Sequence, residues 1–232
     1  MKVRIGVGVG PADVSADQLG AVVDGIVDLG LDSLWLSEVL TQPGPDPLAA
    51  LAWAAAHNRT IKLGTTLLAP GRNLVRLAKS LATVDRLSAG RLLVTLVPGL
   101  PRGPERAAVG PPPAERGLVI DEMVPVLRRL WTGETVSHHG AAGHFDDVTV
   151  RPLPVQQPLE LWLGGMAPAA LDRCGRLGDG WLPALCTPAD AAAGREVVDG
   201  AAAAVGRAIS REHFGVSIGY ADGPLDGAVR RA

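Results

Sequence analysis

The run Ile61–Val97, IKLGTTLLAPGRNLVRLAKSLATVDRLSAGRLLVTLV, decides the fold class. Its first eight residues and its last seven are apolar on both alternations instead of every second residue. That pattern suits strands buried on two faces, as in a parallel sheet. Between them, Leu74, Leu77, Ala78, Leu81 and Val84 recur at helical spacing, and Gly90 follows as a stop. The run is therefore one strand–helix–strand unit, and parallel neighbours need such a crossover.

The same beat extends on both sides. Strands are expected at Val3–Val9, Ser33–Ser37, Ile61–Leu68 and Arg91–Val97. Ser15 and Gln18 form a capping box ahead of Leu19, Val22, Val23 and Ile26, with Gly30 as the stop. Asp46-Pro47 opens a second helix, with proline in the first turn. A proline- and glycine-rich loop over 98–114 interrupts the beat. A helix from about Ala114 to Trp131 follows, then a hairpin of Thr135–His139 and His144–Arg151 around Gly-Ala-Ala-Gly. The beat resumes with strand Leu159–Leu163, helix Pro168–Leu177, strand Gly180–Pro183, helix Pro188–Ile209 and strand Phe214–Tyr220.

Seven strands fit an open doubly wound sheet, or a (β/α)8 barrel short of one unit. A single domain over 1–232 is expected, with a hairpin insertion at about 135–151 and an incomplete C-terminal end.

Composition narrows the function classes. Of the 232 residues 47% are apolar and 20% charged, which is enough to fill a core. The net charge of -2 gives no basic surplus for nucleic acid or acidic lipid. The longest apolar run, Leu48–Ala56, is far below the roughly 20 residues of a membrane span. Cys174 and Cys186 form neither a disulfide framework nor a CxxC pair, so a cytoplasmic protein is expected.

In parallel α/β folds the chemistry gathers at the C-terminal ends of strands. Glu38 and Arg72 stand after the second and third strands. Glu38 either positions a ligand or pairs with Arg72. Gly164, Gly165 and Met166 lead from a strand into a proline-initiated helix. That is either a phosphate cradle, with free N–H groups at the helix start, or a tight turn. His138, His139 and His144 lie on the hairpin, where neighbours face opposite ways. They are read as exposed polar residues, and no metal site is expected. Gly6, Gly8 and Gly10 alternate along the first strand without the helix start a dinucleotide fingerprint requires.

Several of these stretches, taken together, resemble the luciferase-like monooxygenase family, in particular its branch of coenzyme F420-dependent oxidoreductases. They are Asp32–Glu38 (DSLWLSE), Leu63-Gly64-Thr65-Thr66, the long run Leu77–Arg91 ending TVDRLSAGR, Gly164-Gly165, and Gly178-Asp179-Gly180-Trp181. The resemblance implies a (β/α)8 barrel with a flavin or deazaflavin in its C-terminal mouth. It implies a non-proline cis peptide at Thr66–Leu67 against the ring, an approach to the cofactor by Val97-Pro98-Gly99, and a phosphate held by Gly164, Gly165 and Met166. Glu38, Thr66, Leu67, Gly99, Gly164, Gly165 and Met166 become the cofactor-binding candidates.

The chain departs from that pattern where Val39 follows Glu38 and Leu100 follows Gly99, so no general acid carries over. The expected activity is hydride transfer between reduced F420 and an organic small molecule. The alternatives are an FMN-dependent monooxygenase, or a shortened barrel without catalysis. A homodimer would be in keeping with the family.

Overall fold

The computed structural model describes residues 3–10, 12–100 and 103–218. These divide into two compact units, up to Glu160 and from Leu161.

In the first unit, strands β1 (Gly6–Val9), β2 (Ser33–Ser37), β3 (Lys62–Leu68) and β4 (Leu92–Val97) lie parallel in chain order. Between them run helices α1 (Ala16–Asp28), α2 (Pro47–His57) and α3 (Leu74–Leu87). Both expected start signals are present: Ser15 and Gln18 complete the capping box, and Asp46 accepts from Ala49 N–H. Helix α3 is capped by Asn73, which accepts from Arg76 N–H. The register places Leu34, Leu63 and Leu92 in one row and Leu36, Thr65 and Val94 in the next, on the same face. All six are buried, as are Leu19, Val23 and Ile26 of α1, Leu51 and Ala54 of α2, and Leu77, Ala78 and Leu81 of α3. The unalternating apolar pattern of the strands follows from this, because the opposite face is occupied as well.

On that opposite face Trp35 shares a row with Gly64. A Cβ at Gly6 would lie 2.6 Å from Trp35 Cδ1, and one at Gly64 would be closer still to the indole. The two glycines make room for one large ring, fixed by Trp35 Nε1 donating to Ser33 Oγ at 2.9 Å. Of the alternating glycines, Gly6 is thus a packing position, while a Cβ at Gly8 would meet only Trp35 O at 3.9 Å and one at Gly10 nothing within 4 Å. β1 itself starts three residues later than expected. Asp32 N–H donates to Ile5 O, and Ile5 N–H donates to the Asp32 carboxylate instead of continuing a ladder.

One of the stretches that carry the family likeness works at the N-terminal ends of the strands. Asp85 is fully buried and accepts from Val155 N–H (2.7 Å), Gln156 N–H (2.9 Å) and Gln156 Nε2 (2.7 Å). Arg91 is buried too and donates to the carbonyls of Ser88, Ile61, Ala55 and Asn58. Burial, and secondarily Arg59 nearby, lower its pKa. A buried guanidinium bonded to carbonyls closes the turn from α3 into β4 without a counter-charge.

The 98–114 loop contains one short helix, α4 (Glu105–Ala108), and leads to α5 (Arg116–Leu130). The expected hairpin forms from β5 (Val136–Gly140) and β6 (Gly143–Val148), antiparallel. Its histidines alternate as predicted, but His138 is not an exposed residue. Its side chain is only 15% exposed, lies 3.2 Å from Glu122 of α5 and tilts against Phe145. Glu122 also accepts from Ala142 N–H, which pins the hairpin to α5 and covers the inward histidine. His139, the outward neighbour, is 58% exposed and pairs with Asp146.

In the second unit, β7 (Leu161–Leu163) and β8 (Gly180–Trp181) are parallel and joined by α6 (Pro168–Leu177), and α7 (Pro188–Ala204) follows. Helix α7 ends five residues earlier than expected. Arg207 N–H returns to Ala202 O and the Arg207 guanidinium donates to Gly175 O and Gly178 O, which directs the chain away from the helix axis. The expected strand from Phe214 is reduced to bridges at Phe214 and Ser217, and its residues 219 and 220 lie outside the described residues. Among the described residues no helix is long and apolar enough to cross a membrane, and no metal-ligating cluster occurs.

Candidate cofactor site

In the first unit the predicted residues converge at the C-terminal ends of β2, β3 and β4. Glu38 follows β2 directly, and its N–H donates to Thr66 O. Its side chain, 7% exposed, has both oxygens engaged. Oε2 accepts from Leu68 N–H at 2.8 Å, and Oε1 is in a short contact with Arg72 Nη2. Arg72 Nε in turn donates to Leu68 O at 3.0 Å. Glu38 and Arg72 therefore close a ring around the backbone of Leu68 and clamp the end of β3. Of the two roles the sequence left open for Glu38, the pairing with Arg72 is present.

Thr66 is half-buried, on the same face as Ser37 and Thr95. The Leu67 side chain is fully buried on the helix-covered face, so Leu67 offers this end of the strand its backbone alone. The peptide Thr66–Leu67 is trans, contrary to the expectation from the family. The cis bonds are Arg151–Pro152 and Gln157–Pro158. The reason is the register. Thr66, Leu67 and Leu68 pair in unbroken succession with Thr95, Leu96 and Val97, so β3 stays extended through the position where a bulge was expected.

Gly99 has φ +76°, where a side chain is strained, and a Cβ there would meet Leu68 Cδ2 at 2.9 Å. A shallow crevice beside Ser37 is walled by Val9, Leu36, Val39, Pro43 and Pro45 and holds no charged side chain.

In the second unit, Gly164, Gly165 and Met166 connect β7 to α6. Gly165 has φ +123°, and its carbonyl accepts from Trp181 Nε1 at 3.1 Å. No side chain caps α6. Its N-cap is Ala167, Pro168 has no N–H, and Ala170 N–H donates to Ala167 O at 2.8 Å, which leaves Ala169 N–H at the helix start. Of the two readings of the glycine pair, the tight turn is present, since Gly165 takes the positive φ. Asp179 is structural, accepting from Leu161 N–H and pairing with Arg207.

Sequence reasoning missed Arg116 and Glu105. Arg116 is 1% exposed and occupies the stripe completed by Val119, Ile120, Met123 and Leu127. A charge on the buried face of an amphipathic helix was the available signal. Glu105 accepts from Leu40 N–H at 2.5 Å, across 65 residues, and no local pattern marks it.

A parallel strand–helix succession of this kind defines an α/β protein of the barrel-forming class. More particularly, residues 2–226 match the luciferase-like monooxygenase family model, and the chain belongs to that family. It is 32% identical over 165 residues to an F420-dependent glucose-6-phosphate dehydrogenase of Kineococcus radiotolerans, covering 66% of this chain and 48% of that protein. It is 38% identical over 106 residues to an FMNH(2)-dependent dimethylsulfone monooxygenase of Pseudomonas putida, covering 44% and 29% respectively. Among solved structures, monooxygenase RslO1 from Streptomyces bottropensis superposes with a TM-score of 0.82 at 27% identity, covering 99% of this chain and 78% of that one. The fold class is therefore that of the luciferase-like (β/α)8 proteins. The chain spans about half the length of the curated relatives it matches, or less.

Proposed function

We propose that this chain forms the cofactor-binding part of an F420-dependent oxidoreductase acting on a small organic substrate. Two local features at strand C-terminal ends, one in each unit, support the reading. These are a left-handed Gly99 beside the clamped end of β3, and the uncapped start of α6 after Gly164 and Gly165. Relatives named as F420-dependent, from several organisms at about 30% identity, support the choice of cofactor. When bound, a reduced deazaflavin supplies a hydride.

In this reading Gly164, Gly165 and Met166 hold the phosphate with backbone N–H groups. Gly99, Thr66 and the backbone of Leu67 border the ring. Glu38 acts through its grip on Leu68 and Arg72 instead of as a free acid. The uncharged crevice beside Ser37 suits an apolar substrate group. No residue of the chain is assigned as the proton donor.

A second reading, an FMN-dependent monooxygenase, is favoured by the identity to the dimethylsulfone enzyme. Fluorescence titration of the purified protein with F420 and, separately, with FMN tests both. Saturable binding of F420 and not FMN is the expected result. Binding of FMN alone selects the second reading, and binding of neither by folded protein rejects both in favour of a chain without catalysis.

A further inference from the structure

We infer that Arg116 is a positioning residue: from the first turn of α5 it holds the backbone at Pro98, Leu100, Arg106 and Pro111, and ligand affinity at the ends of β2–β4 depends on it. For the ligand's identity, this rests on the function proposed above.

Pro98, Pro104, Pro111 and Pro112 have no N–H, and among the described residues 98–100, 103–104 and 109–115 belong to no helix or strand. Carbonyls in such a stretch lack ladder partners, and burying them unpaired is unfavourable. One side chain meets three of them, and a fourth carbonyl in α4. Arg116 Nε donates to Pro111 O at 2.9 Å, Nη1 to Pro98 O at 3.2 Å and Leu100 O at 3.1 Å, and Nη2 to Arg106 O at 2.8 Å. All four bonds end on backbone carbonyls of the loop between β4 and α5, so the guanidinium is its hub.

Two further contacts tie that hub to the site. A Cβ at Gly99 would lie 3.3 Å from Arg116 Nη1 and 2.9 Å from Leu68, whose backbone Glu38 and Arg72 clamp. Glu105 accepts from Leu40 N–H beyond β2, and Gly71, beyond β3, packs directly on the Val109 carbonyl. Lysine cannot substitute, because its three donors radiate from one atom while these acceptors need a planar fork.

The test uses the full chain as wild type, Arg116→Met and Arg116→Lys, with two readouts. The first is limited trypsin digestion well below the melting temperature. It follows cleavage after Arg106 by mass spectrometry, with and without guanidinium chloride at low millimolar concentration. The second is the F420 and FMN fluorescence titration. In Arg116→Met we expect cleavage at this bond to rise and ligand affinity to fall, each about tenfold, equivalent to ~1.4 kcal/mol. Guanidinium ion should restore both in part, while leaving the wild type unchanged. Rescue of affinity by a free cation is a result that generalised destabilisation does not produce.

If Arg116→Met proves unfolded, Arg116→Lys carries the same readouts, with smaller changes expected. Unchanged cleavage after Arg106 overturns the inference, as does weakened binding that guanidinium leaves unrescued in folded protein. If wild type binds neither cofactor, the proposed function fails. The digestion and its rescue then still decide the role of Arg116.

Discussion

Replacing Glu38 and Arg72 singly and together measures the clamp at the end of β3. In Glu38→Ala, Leu68 N–H loses a charged acceptor at 2.8 Å, and Arg72 keeps only its bond to Leu68 O. A hydrogen bond to a charged group contributes about 1.5–3 kcal/mol, and Arg72 also loses its partner, so we expect a cost of about 3 kcal/mol. In Arg72→Met, a carboxylate only 7% exposed loses its counter-charge. Breaking buried pairs costs about 3–5 kcal/mol, and the 25% exposure of Arg72 puts this case at the lower end. The double variant leaves no stranded charge, only the two polar groups of Leu68, and should cost about 3 kcal/mol instead of the ~6 of a sum. The coupling energy is then about 3 kcal/mol, at the top of the range for contacting residues. Urea denaturation followed by circular dichroism gives the three differences. Each single variant should also lower the melting temperature by about 6–12 °C in a chain of this length. Additivity to within ~0.5 kcal/mol would refute the clamp, since two residues that do not act as one unit show no coupling.

Further expectations follow from individual contacts. Gly64→Ala drives a methyl into the Trp35 indole and should destabilise by about 1–3 kcal/mol, with Gly64→Ala/Trp35→Leu recovering part of the loss in the same denaturation assay. Thr95→Val should stabilise by about 1 kcal/mol, because the buried Thr95 hydroxyl has no hydrogen-bond partner; a lower denaturation midpoint would refute this. Gly165→Asp sets a carboxylate beside the helix start and strains φ +123°, so cofactor binding in the fluorescence titration should be lost, and unchanged affinity would refute the placement. Burial pushes the Cys174 thiol up to about 12, while the unfolded chain ionises near 9. The folded state therefore retains a proton that the unfolded state has released. Stability should fall between these pH values, and Cys174→Ala should flatten that fall in denaturation midpoints measured across the range.

Most of the first unit was legible because its signals are local. The caps at Ser15 and Asp46, the stops, and the unalternating strands at Ser33, Lys62 and Leu92 each need only near neighbours to act. The hairpin was legible for the same reason, while the burial of His138 was not, because it depends on Glu122 across a helix–hairpin contact. One of the stretches that carry the family likeness, from Thr83 to Arg91, proved to build the turn into β4, as Asp85 and Arg91 show through their partners.

The sequence by itself determined the order of elements, the parallel α/β class and the family, since periodicity, capping and residue identity are written along the chain. Tertiary structure alone decided that Glu38 is spent on Leu68 and Arg72, that Thr66–Leu67 lies in regular trans register, and that Arg116 gathers four carbonyls of a proline-rich loop. Each of these joins groups far apart in sequence, and a side chain's partner there is set by which strand ends the fold brings within hydrogen-bond reach.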